Sequence, residues 1–268
     1  MTVNKENTNF TNEHYIFLKK YKRKKFLITF FQFIIFALFI FLWELLSRYN
    51  IIDPFLLSSP SRIFQTIITL NNTGELWSNI FYTLCETIVG FLLGTIIGIL
   101  IAILLWWFEF IQKISEPYLV IFNALPKVAL GPIIIVWMGS GAKSIITMAL
   151  LISVIVSTIN MLSGFQNVDN EKLLLMKSFG ATKIQILKKI ILPYNVSNII
   201  STLKINVGMS LIGVITGEFL VATKGIGYLI IYGGQIFNLD LVMTGIFILA
   251  VIASLMYIGI SKIESKYK

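Results

Sequence analysis

Four ionisable side chains, Glu86, Lys127, Lys204 and Glu218, sit inside long apolar stretches of the chain. An unpaired charge in an apolar medium is costly, so each needs a counter-charge or water. Two acids and two bases suit structural salt bridges, and a long lysine can also snorkel to an interface. The sharper alternative places Lys127 or Lys204 on a pathway, where it attracts an anionic solute. Pro126 and Pro132 interrupt the run that holds Lys127, each removing a backbone donor. Broken backbone is tolerated in lipid only where it is buried in protein or lines a cavity. That run is therefore either a pathway or gating element, or a packed kink. Other chemistry is poorly served. The one histidine, His14, lies in a polar N-terminal stretch and reads as solvated, and the one cysteine, Cys85, lies in an apolar run. These supply neither a metal site nor a catalytic cluster. The segment Gly139-Ser-Gly-Ala-Lys143-Ser144 shares letters with a phosphate-binding loop. Ala142 stands where the glycine before lysine is required, and Trp137 replaces the first glycine.

The elements that must position these groups follow from composition. The chain has 268 residues, 56% hydrophobic and 13% charged, with mean hydropathy +0.84. Charge at about half the usual quarter leaves too little polar surface for a body in water. Six apolar runs, roughly 26–47, 79–107, 117–138, 144–165, 196–220 and 240–261, can each cross a hydrocarbon core as a helix. An all-α polytopic membrane protein of about six spans is expected. No tandem repeat is visible, and the first run is too long and too far from the start for a cleavable leader.

The net charge of +9 marks topology rather than nucleic-acid binding. With the N-terminus inside, sixteen basic residues fall on the inner side and four on the outer, leaving Lys127 and Lys204 within spans. This bias places both termini in the cytoplasm. Residues 1–25 read as a loosely ordered basic tail, 26–47 as a peripheral first span, and 263–268 as a C-terminal tail. Segments 54–70 and 224–234 read as short helices lying on the outer surface or partly re-entering it.

The long inner connection, 166–195, is not linker-like. Asp169 or Asn170 can cap a helix over 171–179, and Gly180 can end it in a left-handed turn. Thr182 can cap a second helix that Pro193 limits. The apolar residues of the two (Leu173, Leu174, Leu175, Met176 and Phe179, then Ile184, Ile186 and Leu187) call for cover. Gly90, Gly94, Gly98 and Ala102 recur every fourth residue in the second run, and Gly213 and Gly217 do so in the fifth. Such stripes let helices approach closely.

The run from Glu171 to Pro193 resembles the EAA loop of ABC importer permeases. Gly180, Ile190, Leu192 and Pro193 hold that pattern's spacing, while Leu174, Leu175 and Met176 stand in place of its Glu-Ala-Ala. The stretches Leu125–Gly141 and Gly217–Ile230 are similar to signatures of the nitrate/sulfonate/taurine branch. The resemblance covers about 75–262 and implies a type I importer permease core over those residues. It also implies a coupling helix that docks on a separate ATPase, with Asn170, Glu171, Leu175, Met176, Phe179, Gly180, Ala181, Thr182 and Pro193 at the contact. Asn170, Glu171 or Lys172 can supply a polar contact in place of the missing Glu. Pro126, Lys127, Pro132, Lys204 and Glu218 become pathway or gating candidates, with Glu86 as a charge partner. Further implications are a second permease copy, an extracytoplasmic binding protein, and ATP and Mg bound by the ATPase rather than by this chain. The solute stays open among sulfonates, taurine, nitrate and a thiamine-type precursor. An ion-coupled transporter would show inverted repeats and midplane polar clusters in both halves. A membrane enzyme would show clustered catalytic groups at one interface. Neither pattern is present.

Overall fold

A computed structural model of the protein describes residues 12–267. Residues 1–11 and Lys268 of the expected tails lie outside them, as do the side chains of His14 and Lys266. The chain divides into two compact units, Met1–Arg62 and Ile63–Lys268.

In the first unit, α1 runs from Asn12 to Arg48. The expectation of a loosely ordered tail up to residue 25 is corrected from Asn12 onward. Lysine and arginine are good helix formers, and an apolar span already pays the nucleation cost for the turns preceding it. The chain then turns through Asn50 and Ser58, both at positive φ, into α2 (Pro54–Leu57) and the first residues of α3 (Pro60–Asn72), which from Ile63 onward belongs to the second unit. Ser61 N–H donates to Glu44 Oε2 at 3.1 Å, and the Arg62 guanidinium donates to the Pro54 carbonyl at 2.9 Å. The outer segment expected at 54–70 is thus two short helices.

The second unit is built on α4 (Glu75–Trp107), α7 (Ala142–Gln166), α11 (Val196–Val221) and α13 (Leu239–Tyr267), with the ten-residue α12 (Ile226–Gln235) against α13 and α11. α13 carries the chain helically through the expected C-terminal tail, because nothing after residue 262 breaks the pattern. The small stripes do close-packing work. A Cβ on Gly90 or Gly94 would strike Ala149 or Ser153 of α7, and one on Gly98 would strike Ser157. On the other side of α7, a Cβ on Gly213 would strike the backbone of Ala149, and one on Gly217 the backbone of Ile145. Ala149, fully buried, is therefore the point where three helices meet.

The expected third span, 117–138, is not one helix. α5 (Glu109–Ala124) ends at Leu125, a 3-10 turn covers Lys127–Leu130, and α6 runs Gly131–Met138. The two parts meet at 88°. Pro126 holds Leu125 extended (φ −62, ψ 139), which stops α5. Pro132 lies in the first turn of α6, where a missing N–H costs nothing, so it starts a helix instead of kinking one. Among the described residues, five helices are long and apolar enough to cross a membrane, or six if the bent pair is counted as one span.

The connection after α7 forms α8 (Asn170–Ser178) and α9 (Lys183–Ile186), as its caps suggest. Pro193 does not limit the second helix. A π turn over Leu187–Ile191 widens the hydrogen-bond ladder ahead of it, and Pro193 falls in the opening turn of α10 (Leu192–Tyr194), which leads into α11.

Replacing Gly213 by alanine should destabilise the protein by about 1–3 kcal/mol, because rigid backbone of α7 blocks the added methyl. Gly208, with open space around its Cα, should accept alanine without loss. Thermal unfolding of both variants in one detergent checks this.

Candidate functional site

Two regions of the second unit concentrate polar and exposed groups. The first is the α8–α9 pair. Asp169 accepts from Glu171 N–H at 3.0 Å and caps α8. Gly180 follows at φ +73, a conformation that costs residues with a side chain about 1–2 kcal/mol. Thr182 and Gln185 then cap each other's turn reciprocally, with Thr182 N–H donating to Gln185 Oε1 at 2.8 Å. Lys183 lies over the rings of Trp106 and Trp107 and donates to the Trp107 carbonyl, tying α9 to the end of α4.

This capping gives the pair two faces. Leu173, Met176, Ala181 and Leu187 pack inward on a cluster built around Ala102, Met161, Phe165 and Ile191, and Ile186 is buried there. Leu174, Leu175, Phe179 and Ile184 face outward, with Phe179 77% exposed. The expectation that the apolar residues of this connection need outside cover therefore holds for these four only. Among the candidate contact residues, Leu175 and Phe179 are free to meet a partner. Met176 and Ala181 position the helices from behind. Asn170, Glu171, Thr182 and Pro193 are exposed.

The second region lies where α4, α11 and α12 meet. Glu218, fully buried, accepts from Thr83 Oγ1 at 2.7 Å and from Gly227 N–H at 2.5 Å. Thr83 Oγ1 in turn accepts from Ile226 N–H at 2.8 Å, and Asn79 Oδ1 accepts from Gly225 N–H at 2.7 Å. The opening N–H groups of α12 are thus held by side chains of two other helices. A Cβ on Gly225 or Gly227 would collide with the Glu218 carboxyl, so both positions require glycine. Further along the bundle, buried Asn206 donates to Thr95 Oγ1 at 2.7 Å and to Ser157 Oγ.

The four intramembrane charges do not form the expected acid–base pairs. Glu86 and Glu218 are buried near each other, acid beside acid. Lys204 pairs with Glu264 of α13 and lies over the Tyr257 ring. Lys204 and Glu218 are fourteen residues apart on α11, a separation of about 21 Å along the helix that no side chain spans. Lys127 donates to the Asn123 carbonyl at 2.8 Å and has no acidic partner among the described residues. It sits in the 3-10 turn at the break between α5 and α6. Glu218 is fully buried where α4, α11 and α12 meet. Asn79, Thr83, Thr95 and Asn206 escaped the sequence reading, although Asn79, Thr83, Thr87, Gly90 and Gly94 make one small and polar stripe that pointed to the first two.

The sequence matches, over residues 94–267, the family described as binding-protein-dependent transport system inner membrane component. This chain belongs to that family. It is a membrane permease subunit of the ABC importer type. Among curated relatives, it is 30% identical over 227 residues, covering 85% of this chain and 92% of the relative, to a probable ABC transporter permease protein of Haemophilus influenzae. It is 29% identical to the formylaminopyrimidine transport permease protein ThiX of Halalkalibacterium halodurans, covering 86% of this chain and 91% of that one. It is 23% identical to the taurine transport system permease protein TauC of Escherichia coli, covering 86% of each. Among solved structures, a bacterial ABC transporter that imports the acidic polysaccharide alginate superposes with TM-score 0.65 at 16% identity, covering 93% of this chain and 98% of that one. The MetNI methionine ABC transporter in an inward-facing form gives TM-score 0.65 at 18% identity, over 71% of this chain and 94% of that one. These two likenesses show the permease fold.

Lys204 and Glu264 should behave as one unit in this permease. Lys204→Met and Glu264→Gln should each lower the melting temperature, and the double variant should melt no lower than the worse single one. Melting curves of the purified chain check this.

Proposed function

We propose that two copies of this permease enclose one pathway, each copy carrying an ATPase on its α8 helix, and that the solute is a small molecule of the sulfonate, taurine or thiamine-precursor kind delivered by an extracytoplasmic binding protein. The observation that carries this reading is the rigid, doubly capped α8–α9 pair. It turns Leu174, Leu175, Phe179 and Ile184 outward while its other face is fixed on the bundle. An apolar patch on such a mount can transmit a partner's closure to the spans as a rigid-body movement. ATP and Mg belong to the ATPase, and this chain makes and breaks no covalent bond. The positive-inside bias supports cytoplasmic termini and a cytoplasmic α8–α9 pair.

The broken α5–α6 segment supports the second copy. Its break at Leu125 and Pro126, where proline removes a backbone donor, calls for protein or water beside it in a bilayer. In one chain that stretch is open, as are Val136 at 82% and Trp137 at 75% exposure. A pathway between two copies supplies both protein and water. Lys127 at the break, without an acidic partner among the described residues, is placed to attract an anion. The names of the relatives support the solute class, since one is a taurine and another a formylaminopyrimidine permease. The core is taken as 75–262 with the coupling connection 166–195 inside it.

With Cys85 replaced by serine, Phe179→Cys should cross-link to a cysteine in the docking cleft of the co-expressed ATPase, with a yield that changes on adding ATP. A residue 179 that stays free in an assembled complex, or reacts only from outside, overturns the docking or the topology. Lys127→Ala should raise KM for taurine or alkanesulfonate uptake about tenfold, the equivalent of roughly 1.4 kcal/mol. An unchanged KM removes Lys127 from the pathway.

A further inference from the structure

The hydrogen bonds at the start of α12 join groups that the permease reading leaves without a task. Three successive backbone donors, at Gly225, Ile226 and Gly227, are captured by Asn79 and Thr83 of α4 and by Glu218 of α11. Thr83 links the set, because its one hydroxyl accepts from Ile226 and donates to Glu218. All six residues are buried, with Thr83, Glu218 and Ile226 at 0% exposure. A terminal helix turn could be satisfied by water at no cost in design. Here it is satisfied by a carboxyl group, an amide and a hydroxyl placed in an apolar interior, at positions where two glycines are needed to make room.

The other edge of the same turn faces open space. A cavity of about 450 Å³ is lined there by Glu75, Ser78, Asn79, Thr223, Lys224 and Tyr228. Asn79 belongs to both sides: its amide group donates to the Glu75 carbonyl at 2.8 Å and its oxygen holds Gly225. Lys224 lies over the ring of Tyr82, 5.2 Å from its centre, so a second contact braces the turn against α4.

We propose that Asn79, Thr83 and Glu218 are positioning residues for transport, clamping the 223–228 turn and α12 to α4 and α11 so that movement of those spans reaches the cavity wall as one rigid piece. Thr83 and Glu218, both fully buried, act through the turn they hold. The inference rests on the permease reading, because the movement it transmits is the one an ATPase would drive. Interior hydrogen bonds suit this task. They are directional, and their loss leaves a buried donor unpaired, so a small displacement is resisted more steeply than by apolar contact alone.

The test uses the complete complex of permease and ATPase in lipid nanodiscs, with Cys85→Ser and a reporter Thr223→Cys, an exposed position outside the hydrogen-bonded set. The readouts are ATP hydrolysis and the rate at which a membrane-impermeant maleimide labels residue 223, with and without ATP and vanadate. In the parent, labelling should change between the two states. Thr83→Val keeps the side chain's shape but removes both hydrogen bonds. It should label about tenfold faster, the scale of one or two lost hydrogen bonds, and lose its response to ATP and vanadate while hydrolysis continues. Thr83→Ser, which keeps the hydroxyl, should match the parent. The proposal is overturned if the parent shows no change between states, or if Thr83→Val labels and responds like the parent. It is equally overturned if both Thr83 variants lose labelling response and hydrolysis together, since that marks Thr83 as packing alone. A parent that fails to assemble with the ATPase at all counts against the permease reading instead.

Discussion

The near-contact of α4, α7 and α11 at their small residues is the constraint on which the rest of the second unit depends. Inside lipid, helices gain nothing by hiding apolar surface from water, so they associate through close packing and hydrogen bonds. Gly90 and Gly213 press on Ala149 from two sides, Gly94 and Gly98 admit Ser153 and Ser157, and Gly217 admits Ile145. At that separation short polar side chains reach a neighbouring helix. Asn206 thus reaches Thr95 and Ser157, and Thr158 reaches the Gly98 carbonyl at 3.3 Å. Were these helices a side chain further apart, the same groups would be buried and unpaired, at a cost of roughly 1–3 kcal/mol each.

From this three-helix knot the two ends differ in what they present. At the α8–α9 end the chain spends its local signals on stiffness. A side-chain cap, a left-handed glycine, a capping box and a lysine lodged on two indoles leave the pair few ways to move against α4 and α7. An outward apolar face on so rigid a mount is suited to receiving a push. At the α12 end the chain is held instead by long-range hydrogen bonds to buried acceptors, and its free edge lines a cavity. The α5–α6 break turns the chain through 88°.

What was legible in the sequence was what depends on neighbours a few residues away or on bulk composition. Charge and hydropathy sufficed for a membrane bundle, and the spacing of glycines announced which helix faces would meet. The α8–α9 caps could be assigned because Asp169, Gly180 and Thr182 act within one turn of themselves. The spacing of Gly180, Ile190, Leu192 and Pro193 was enough to suggest the permease family. Pro132 and Pro193 were read less well than Pro126. Pro126 broke a span, Pro132 began a helix and Pro193 was absorbed by a π turn, three outcomes for one chemical feature. Which occurs depends on whether the carbonyls behind the ring find other donors, and those donors belong to the surrounding ladder.

The charges show the same division. That Glu86, Lys127, Lys204 and Glu218 needed partners followed from their place in apolar runs, and the sequence by itself determined that need along with the bundle, its tight faces and its capped loop. Who the partners are was decided only by tertiary structure. Lys204 meets Glu264, and Glu218 meets Thr83 and neighbours Glu86, because antiparallel helices bring together residues sixty or more positions apart. Pairing across helices depends on the rotation and axial offset of each pair. Those are set by summed packing over the whole contact, and no local pattern in the chain encodes that sum.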